Sequence, residues 1–163
     1  MTTQFSMKIE GLSELYDGFE KARADYEPVM QQAMVRATTK IQNDARENIR
    51  KNGTTYQGNL AKNTRRRDPV TARRGVVAVG EEYGGAVEFG RRPGKRPPAA
   101  PLERWAAVKL GAPGAGFAIA KKIGERGTKA QPFLEPAMRD NANYVLEQFS
   151  NGAKELLMTM AGR

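Results

Sequence analysis

Two segments decide the fold of this chain: A-V-E-F-G-R-R-P-G-K-R-P-P at residues 86–98 and F-A-I-A-K-K-I-G-E-R-G-T-K-A-Q-P-F-L-E-P-A-M at residues 117–138. Each contains a short apolar stretch, and the connection between the two stretches is basic and rich in proline. Neither stretch holds a nucleophile–base pair, a metal cluster or a phosphate loop. The pattern favours contact between proteins over chemistry, which indicates an assembly component.

The composition fits a single domain with a modest core. The chain has 163 residues, of which 39% are apolar and 28% are charged. It contains no cysteine and no histidine, which excludes disulfides, thiolate chemistry and the commonest general base. No apolar run is long enough to cross a bilayer, and the first residues lack the charged start and apolar centre of a signal peptide. We therefore expect a soluble protein made in a cytoplasm, without membrane association.

The net charge of +9 is concentrated in the middle of the chain, mostly where the sequence indicates loops. Basic side chains there neutralise phosphates, attract an acidic neighbouring protein, or only keep the surface soluble. Aromatic residues do not alternate with the basic ones, so sequence-specific readout of nucleic acid is not expected. The candidates for a basic loop or DNA channel are Arg65, Arg66, Arg67, Arg73, Arg74, Arg91, Arg92, Lys95 and Arg96.

Helical spacing of apolar residues predicts two helices in the first third of the chain. Ser13 is predicted to cap the first helix, and Pro28 to start a longer one that stops at Gly53. Residues 7–9 are predicted to form an edge strand. Residues 54–74 are predicted to form a basic loop or a flexible hairpin.

The remaining residues are predicted to hold strands at 75–80 and 86–89, with an extended proline-containing segment at 91–98. Helices are predicted from Pro101 to Gly111, around residues 117–123, and from residues 132–136 onward, where Gly152 bends or ends the last one. These elements predict one α+β domain spanning residues 1–163. In that fold a long N-terminal helix packs on a small antiparallel sheet, accompanied by short helices and a C-terminal helix.

The residue types give little support to an enzyme. Adjacent residues on a strand point to opposite faces, so Glu81 and Glu82 would not form an acid/base pair. Five carboxylates could converge on a metal, although no spacing requires it: Asp44, Asp68, Glu81, Glu82 and Glu88. The glycine-rich stretch at 111–116 lacks the Lys-Ser or Lys-Thr of a phosphate loop. We therefore expect no catalytic residue, no cofactor and no metal, and a metal-dependent nuclease stays the weakest alternative.

Three stretches carry a resemblance to a known family: V-E-F-G at 87–90, F-A-I-A at 117–120 and G-T-K-A-Q-P-F-L-E-P-A at 127–137. In this order they resemble the tail-completion or neck proteins of long-tailed bacteriophages, a family that includes head–tail joining and minor tail components. Upstream, Y-Q-G-N-L at 56–60 resembles the family's threonine-glycine-x-leucine segment, with Gln57 where threonine is common. The resemblance covers roughly residues 28–150.

This resemblance implies a structural subunit of the virion, placed where the head meets the tail and assembled in the host cytoplasm. It implies a homo-oligomeric ring, hexameric in the virion, whose partners are the tail terminator, the head-side connector or stopper, and the tail tube. The alternative is a DNA-associated basic protein that binds nucleic acid non-specifically through its Arg and Lys loops.

The apolar stretches supply interface candidates: Glu88, Phe89, Gly90, Gln131, Pro132, Phe133, Leu134 and Pro136. We expect Phe133 to favour the core and Phe89 to pack under the same helix. We also expect basic loops to face an acidic patch formed by Glu81, Glu82 and Glu88 of a neighbouring copy.

Overall fold

A computed structural model describes residues 12–53 and 58–161, and it is an α+β structure as the sequence predicts. The predicted strand at residues 7–9 lies outside the described residues. The described elements are, in order, α1 (Leu12–Lys51), α2 (Asn59–Asn63), β1 (Thr64–Arg67), β2 (Val76–Val79), α3 (Gly84–Glu88), α4 (Ala99–Lys109), α5 (Gly116–Arg126), α6 (Leu134–Asp140) and α7 (Ala142–Met160).

These elements belong to two compact units. The first unit contains the described residues up to Ala37, Pro69–Gly75 and the described residues from Asn143 onward. The second unit contains the described residues of Thr38–Asp68 and Val76–Ala142. None of the described helices is both long enough and apolar enough to span a bilayer.

The N-terminal region forms one helix of 40 residues instead of the two predicted. The helix begins before Ser13 and continues through Pro28, so neither residue marks a helix start. A proline inside a helix removes one backbone hydrogen bond and crowds the preceding turn. Pro28 is exposed, as is Ala24, so water can reach the carbonyl that the proline leaves without a partner.

In the first unit, α1 and α7 run antiparallel at close range. A Cβ on Gly18 would come within 2.5 Å of the Met160 carbonyl oxygen, and a Cβ on Gly152 within 3.2 Å of Val29. Further along, Arg36 Nε donates to Gln148 Oε1 at 2.8 Å. The small core of this unit consists of Met30, Ala72 and Leu156, with Val29 and Phe149 against them.

The core of the second unit lies against the C-terminal part of α1. Ala45 and Ile49 of α1 are fully buried and pack with α2 and α6. The buried cluster consists of Ala45, Ile49, Leu60, Ala61, Phe133 and Ala137, and Ile41, Val79, Val87 and Leu134 pack against it. The prediction of a long helix packed on a small sheet is therefore confirmed.

The sheet is a two-stranded antiparallel ribbon in which Thr64 pairs with Val79 and Arg67 with Val76. The strand predicted at 75–80 is confirmed. The loop or flexible hairpin predicted at 54–74 is wrong over α2, which is helical, whereas β1 is a hairpin strand whose partner β2 lies outside that range. The sequence T-R-R-R has weak strand propensity, so its extended form depends on β2 and on side chains of α1. Arg66 N donates to Gln42 Oε1 at 2.6 Å, and Arg46 Nε donates to Thr64 O at 2.9 Å.

The strand predicted at residues 86–89 is also wrong, because Gly84–Glu88 forms helix α3. Its backbone bonds are local: Val87 N donates to Tyr83 O at 3.1 Å and Phe89 N to Gly85 O at 3.0 Å. A four-residue apolar stretch is too short for periodicity to distinguish a strand from one helical turn. Residues 91–98 form no helix, as predicted; they contain bends and one isolated bridge, between Arg91 and Thr128.

Helices α4 and α5 confirm the two predicted short helices, and α4 begins two residues before Pro101. Ala106 and Ala120 are buried in this region. The carboxylate of Glu103 accepts hydrogen bonds from Gly114 N and, at 2.7 Å, from Gly116 N, which is where α5 begins. Negative charge at a helix start is favourable because the first N–H groups have no partner within the helix.

The C-terminal region is two helices, α6 and α7, and the break lies at Asn141 instead of the predicted Gly152. Asn141 is buried, and its Nδ2 donates to Ala137 O at 2.8 Å and to Asp44 Oδ2 at 2.7 Å. Gly152 lies inside α7, and its missing side chain allows α1 to approach α7. Close packing therefore accounts for this glycine.

The Asp44 carboxylate supplies a pH-dependent contribution to folding. Partial burial raises its pKa, but hydrogen bonds from Lys40 and Asn141 and the charges of Lys40 and Lys51 outweigh burial and hold the pKa below the usual 3.8. The stabilisation is complete above the unfolded-state pKa and is lost as pH falls through the folded-state value.

We expect Asp44→Asn to lower the free energy of unfolding at about pH 6, with a much smaller difference from wild type near about pH 3. Urea denaturation of both proteins across this range measures the effect. A difference that stays constant with pH would contradict the role of the ionised carboxylate.

Candidate functional site

Two of the three stretches that carry the family resemblance, at 87–90 and 127–137, meet in the second unit at the side chain of Glu88. This carboxylate is buried and accepts three backbone hydrogen bonds, from Phe133 N at 2.8 Å, Leu134 N at 3.0 Å and Glu135 N at 2.8 Å. These N–H groups open helix α6 and would otherwise be unsatisfied. A residue 45 positions earlier in the chain therefore caps this helix.

Backbone bonds extend the contact on both sides of Glu88. Gln131 N donates to Val87 O at 2.8 Å, and Arg91 and Thr128 exchange two bonds at 3.0 and 2.8 Å. Gly90 has a φ of 72°, and a Cβ there would lie 2.7 Å from Thr128 O. Only glycine therefore fits the E-F-G sequence at this approach. We call residues 87–91 together with 128–135 the motif junction.

Two asparagines, Asn48 within α1 and Asn52 one residue beyond its end, attach the motif junction to the long helix. Asn48 Nδ2 donates to Phe133 O at 3.1 Å. Asn52 Nδ2 lies 3.3 Å from Gln131 O and 3.2 Å from Pro132 O. The carbonyl groups of residues 131–133 belong to no regular secondary structure that would supply partners, so these asparagine side chains donate the hydrogen bonds that they need.

The two phenylalanines of the junction have opposite environments. Phe133 is 1% exposed and belongs to the core, as expected. Phe89 is 81% exposed, so the expectation that it packs under the same helix is wrong. The glycine turn after α3 directs the chain toward Thr128 while the Phe89 ring stays outside.

The other interface candidates divide by burial. Gln131 and Pro132 are exposed, whereas Gly90, Leu134 and Pro136 are partly buried. Glu88 is fully engaged with α6, so the predicted acidic patch of Glu81, Glu82 and Glu88 is wrong in including it.

The carboxylates named as metal candidates do not form a metal-like group. In residues 12–53 and 58–161, no three Asp or Glu side chains are placed to hold a metal ion together. Glu81 and Glu82 lie beyond the end of β2 and not on a strand. Glu81 accepts a hydrogen bond from Asn63 Nδ2. Burial raises the pKa of Tyr83, and the charge of Glu81 raises it further.

The predicted basic residues are dispersed over both units. Arg73 and Arg74 belong to the first unit, in the short segment that includes Ala72, and the others belong to the second. Arg91, Arg92, Lys95 and Arg96 follow α3, where Arg91 donates to the Lys95 carbonyl and the Arg96 guanidinium lies 5.9 Å from the centre of the Phe117 ring. Arg65, Arg66 and Arg67 form most of β1.

Part of β1 lines a basic groove, which sequence reasoning missed. It consists of two adjacent depressions that share Arg46 and Arg65. Its lining consists of Thr39, Gln42, Arg46 and Arg50 from α1, Gly58, Ala61 and Lys62 at α2, and Arg65 and Arg66 from β1. The four-residue spacing of Arg46 and Arg50 was the available signal, since it places both on one helix face.

No family model matches this chain, and no curated protein or solved structure matches it either. The geometry of the motif junction, the exposed apolar side chains and the basic groove are therefore the features from which function is inferred.

Replacement of Glu88 tests the motif junction. Glu88→Ala leaves one buried and two partly buried N–H groups without an acceptor, and we expect it to lower the free energy of unfolding by about 3–5 kcal/mol. Glu88→Gln keeps the volume of the side chain but places an amide donor against one of the N–H groups. We expect it to lower the free energy of unfolding by about 2 kcal/mol. The control, Glu125→Ala, removes only an exposed ion pair with Lys121 and should change stability by less than about 0.5 kcal/mol. Urea denaturation compares them, and equal effects at positions 88 and 125 would contradict the cap.

A pair of glycine substitutions tests the close approach in the E-F-G sequence. Gly90→Ala forces a left-handed conformation and a contact with Thr128 O, so we expect a loss of at least about 2 kcal/mol. Gly85→Ala meets open space in α3 and should be neutral or stabilise by about 0.5 kcal/mol. Thermal unfolding of both variants measures the contrast, and similar melting temperatures would refute it.

Proposed function

We propose that this protein is a structural virion component at the head–tail junction of a tailed phage, where it acts as a tail-completion or neck ring subunit. The observation that supports the proposal is the motif junction. Two of the three stretches on which the resemblance depends, at 87–90 and 127–137, lie about 40 residues apart, and both are parts of one contact organised by Glu88. A sequence pattern whose parts pack together is better explained by a common structural origin than one whose parts are scattered.

Exposed apolar side chains supply the surface for protein–protein contacts. In the first unit, Leu15, Phe19 and Tyr26 are at helical spacing on α1 and are each about half exposed. On α7, Leu146 and Leu157 are 69% and 62% exposed and share one face because they are eleven residues apart; we call these two residues the α7 stripe. Isolated exposed apolar residues are ordinary, but stripes of them are typical of interaction surfaces.

Phe89 gives the second unit a comparable contact point. Its ring is almost fully exposed, although both neighbours in sequence are held in the motif junction. An aromatic side chain on a fixed backbone loses little conformational entropy on binding, which is characteristic of interface anchors. In the proposed ring, Phe89 and the α7 stripe contact neighbouring copies or the tail terminator, head-side connector and tail tube. A head-to-tail arrangement of such contacts closes into a ring.

A second candidate function is non-specific association with DNA. The observation that favours it is the basic groove, which is lined by four arginines and a lysine. The two functions are compatible, because a ring at the junction surrounds the path of the genome. They are also separable, since one requires contacts between proteins and the other requires phosphates.

Substitution in the α7 stripe tests the structural role. In a phage whose copy of this gene is deleted, we expect filled heads and unjoined tails, with infectivity restored by the wild-type protein supplied in trans. Leu157→Asp should fail to restore it, because a charge would be buried in the contact. Asn151→Asp adds the same charge to an exposed position of the same helix outside the stripe and should restore it.

Particle counts by electron microscopy and plaque titres measure both variants. Joined, infectious particles without the gene would refute the proposal. Equal rescue by Leu157→Asp would show that the α7 stripe is not part of the contact.

A further inference from the structure

We infer that the basic groove of the second unit binds the phosphate backbone of a nucleic-acid duplex, in a sequence-independent manner. The inference rests on the second candidate function proposed above and specifies its ligand and its residues; it does not depend on the structural role in the virion.

The charge of the groove is unbalanced. Five of its lining side chains are cationic and none is acidic. Arg50 pairs with Glu47 at 3.3 Å and Arg66 with Asp68 at 3.3 Å, and both carboxylates are largely exposed. In the described part of the chain, Arg46, Lys62 and Arg65 form no ion pair. A concave surface with clustered charge of one sign concentrates ligands of the opposite sign.

Two of the arginines are held in place by a hydrogen bond from Nε, which leaves their Nη groups available to a phosphate. Arg46 Nε donates to Thr64 O at 2.9 Å, and Arg65 Nε donates to Lys62 O at 2.7 Å. Within the described residues, their terminal Nη groups make no hydrogen bond. A guanidinium fixed at Nε loses little entropy when its Nη groups bind, and phosphate oxygens are their best geometric match.

The size of the groove favours a polymer over a single small anion. Its two depressions hold about 440 and 510 Å³ and adjoin along Arg46 and Arg65. An ordered water occupies only about 30 Å³, so a lone phosphate would fill a small part of this space. Cations from two helices and a strand, placed along one depression, suit a row of phosphates.

The lining also indicates which polyanion fits. It contains no aromatic side chain, so unstacked bases of a single strand would find no stacking platform. Apart from Ala61 it offers no apolar side chain, so an acidic peptide would bury little apolar surface. A duplex keeps its bases stacked inside and presents phosphates outward, which is what an arginine-lined groove can bind.

The test measures binding of the purified protein to a fluorescent 20-base-pair DNA duplex by anisotropy, at several salt concentrations. The groove variant is Lys62→Glu with Arg65→Glu, both exposed positions. The control is Lys109→Glu with Lys122→Glu, which changes the net charge equally at exposed positions outside both the groove lining and the motif junction.

We expect wild type to bind the duplex with affinity that falls steeply with salt. The groove variant should bind at least about tenfold more weakly, and the slope of log K against log salt should fall by about 2, because each lost phosphate contact contributes about 0.9. The control should stay within about threefold of wild type, since it retains every groove contact. Arg65→Lys keeps the charge but loses the two-nitrogen fork and should lie between wild type and the groove variant.

Three results would overturn the inference: equal loss in the control, undiminished binding by the groove variant, or tighter binding to single-stranded DNA or polyglutamate than to the duplex. Circular dichroism confirms that each variant folds. If the charge reversals prevent folding, Lys62→Ala with Arg65→Ala decides the question by the same change in slope. Rescue of the phage that lacks this gene is measured separately. A failure of DNA binding can therefore be distinguished from a failure of the virion role.

Discussion

A carboxylate removed from water needs hydrogen bonds that replace its hydration, and the carboxylate of Glu88 obtains them from three consecutive N–H groups at the start of α6. The packing of α3 and α6 in the second unit depends on these three hydrogen bonds. They fix the entry of α6 and so place Phe133 and Ala137 in the cluster with Ala45 and Ile49 of α1. They also fix the end of α3, from which Gly90 turns the chain toward Thr128.

The sequence predicted those parts of the fold whose cause is local. The apolar spacing on α1 and the β-branched residues of β2 are repeated signals within one element. Glu88 gives no such signal, because its partners lie 45 to 47 positions away and are backbone groups of other residues. The strand T-R-R-R was missed for the same reason: it is held by β2 and by Gln42 and Arg46 of α1. The basic groove was missed because Lys62 and Arg65 come close to Arg46 and Arg50 only through the turn of α2.

The exposed features of the molecule differ in the kind of partner that they can bind. The α7 stripe and Phe89 are apolar and suit contacts that exclude water, whereas the basic groove suits a hydrated polyanion. Arg96 over the Phe117 ring brings a cationic and an apolar side chain together at one place in the second unit. A subunit that joined proteins around a nucleic acid would need both kinds of surface. Because the protein has both kinds of surface, the structural proposal and the DNA-binding proposal are complementary.

The outer edge of β1 has a consequence for the behaviour of the protein in solution. Alternate residues of this strand direct their backbone groups away from β2, and at two of them side chains of α1 take the bonds: Gln42 accepts from Arg66 N and Arg46 donates to Thr64 O. An open strand edge is a template on which another chain can add a strand. Here the template is blocked by amide and guanidinium groups and flanked by positive charge. Concentrated protein should consequently resist amyloid-like stacking through this ribbon, even though two strands alone leave every edge accessible in principle.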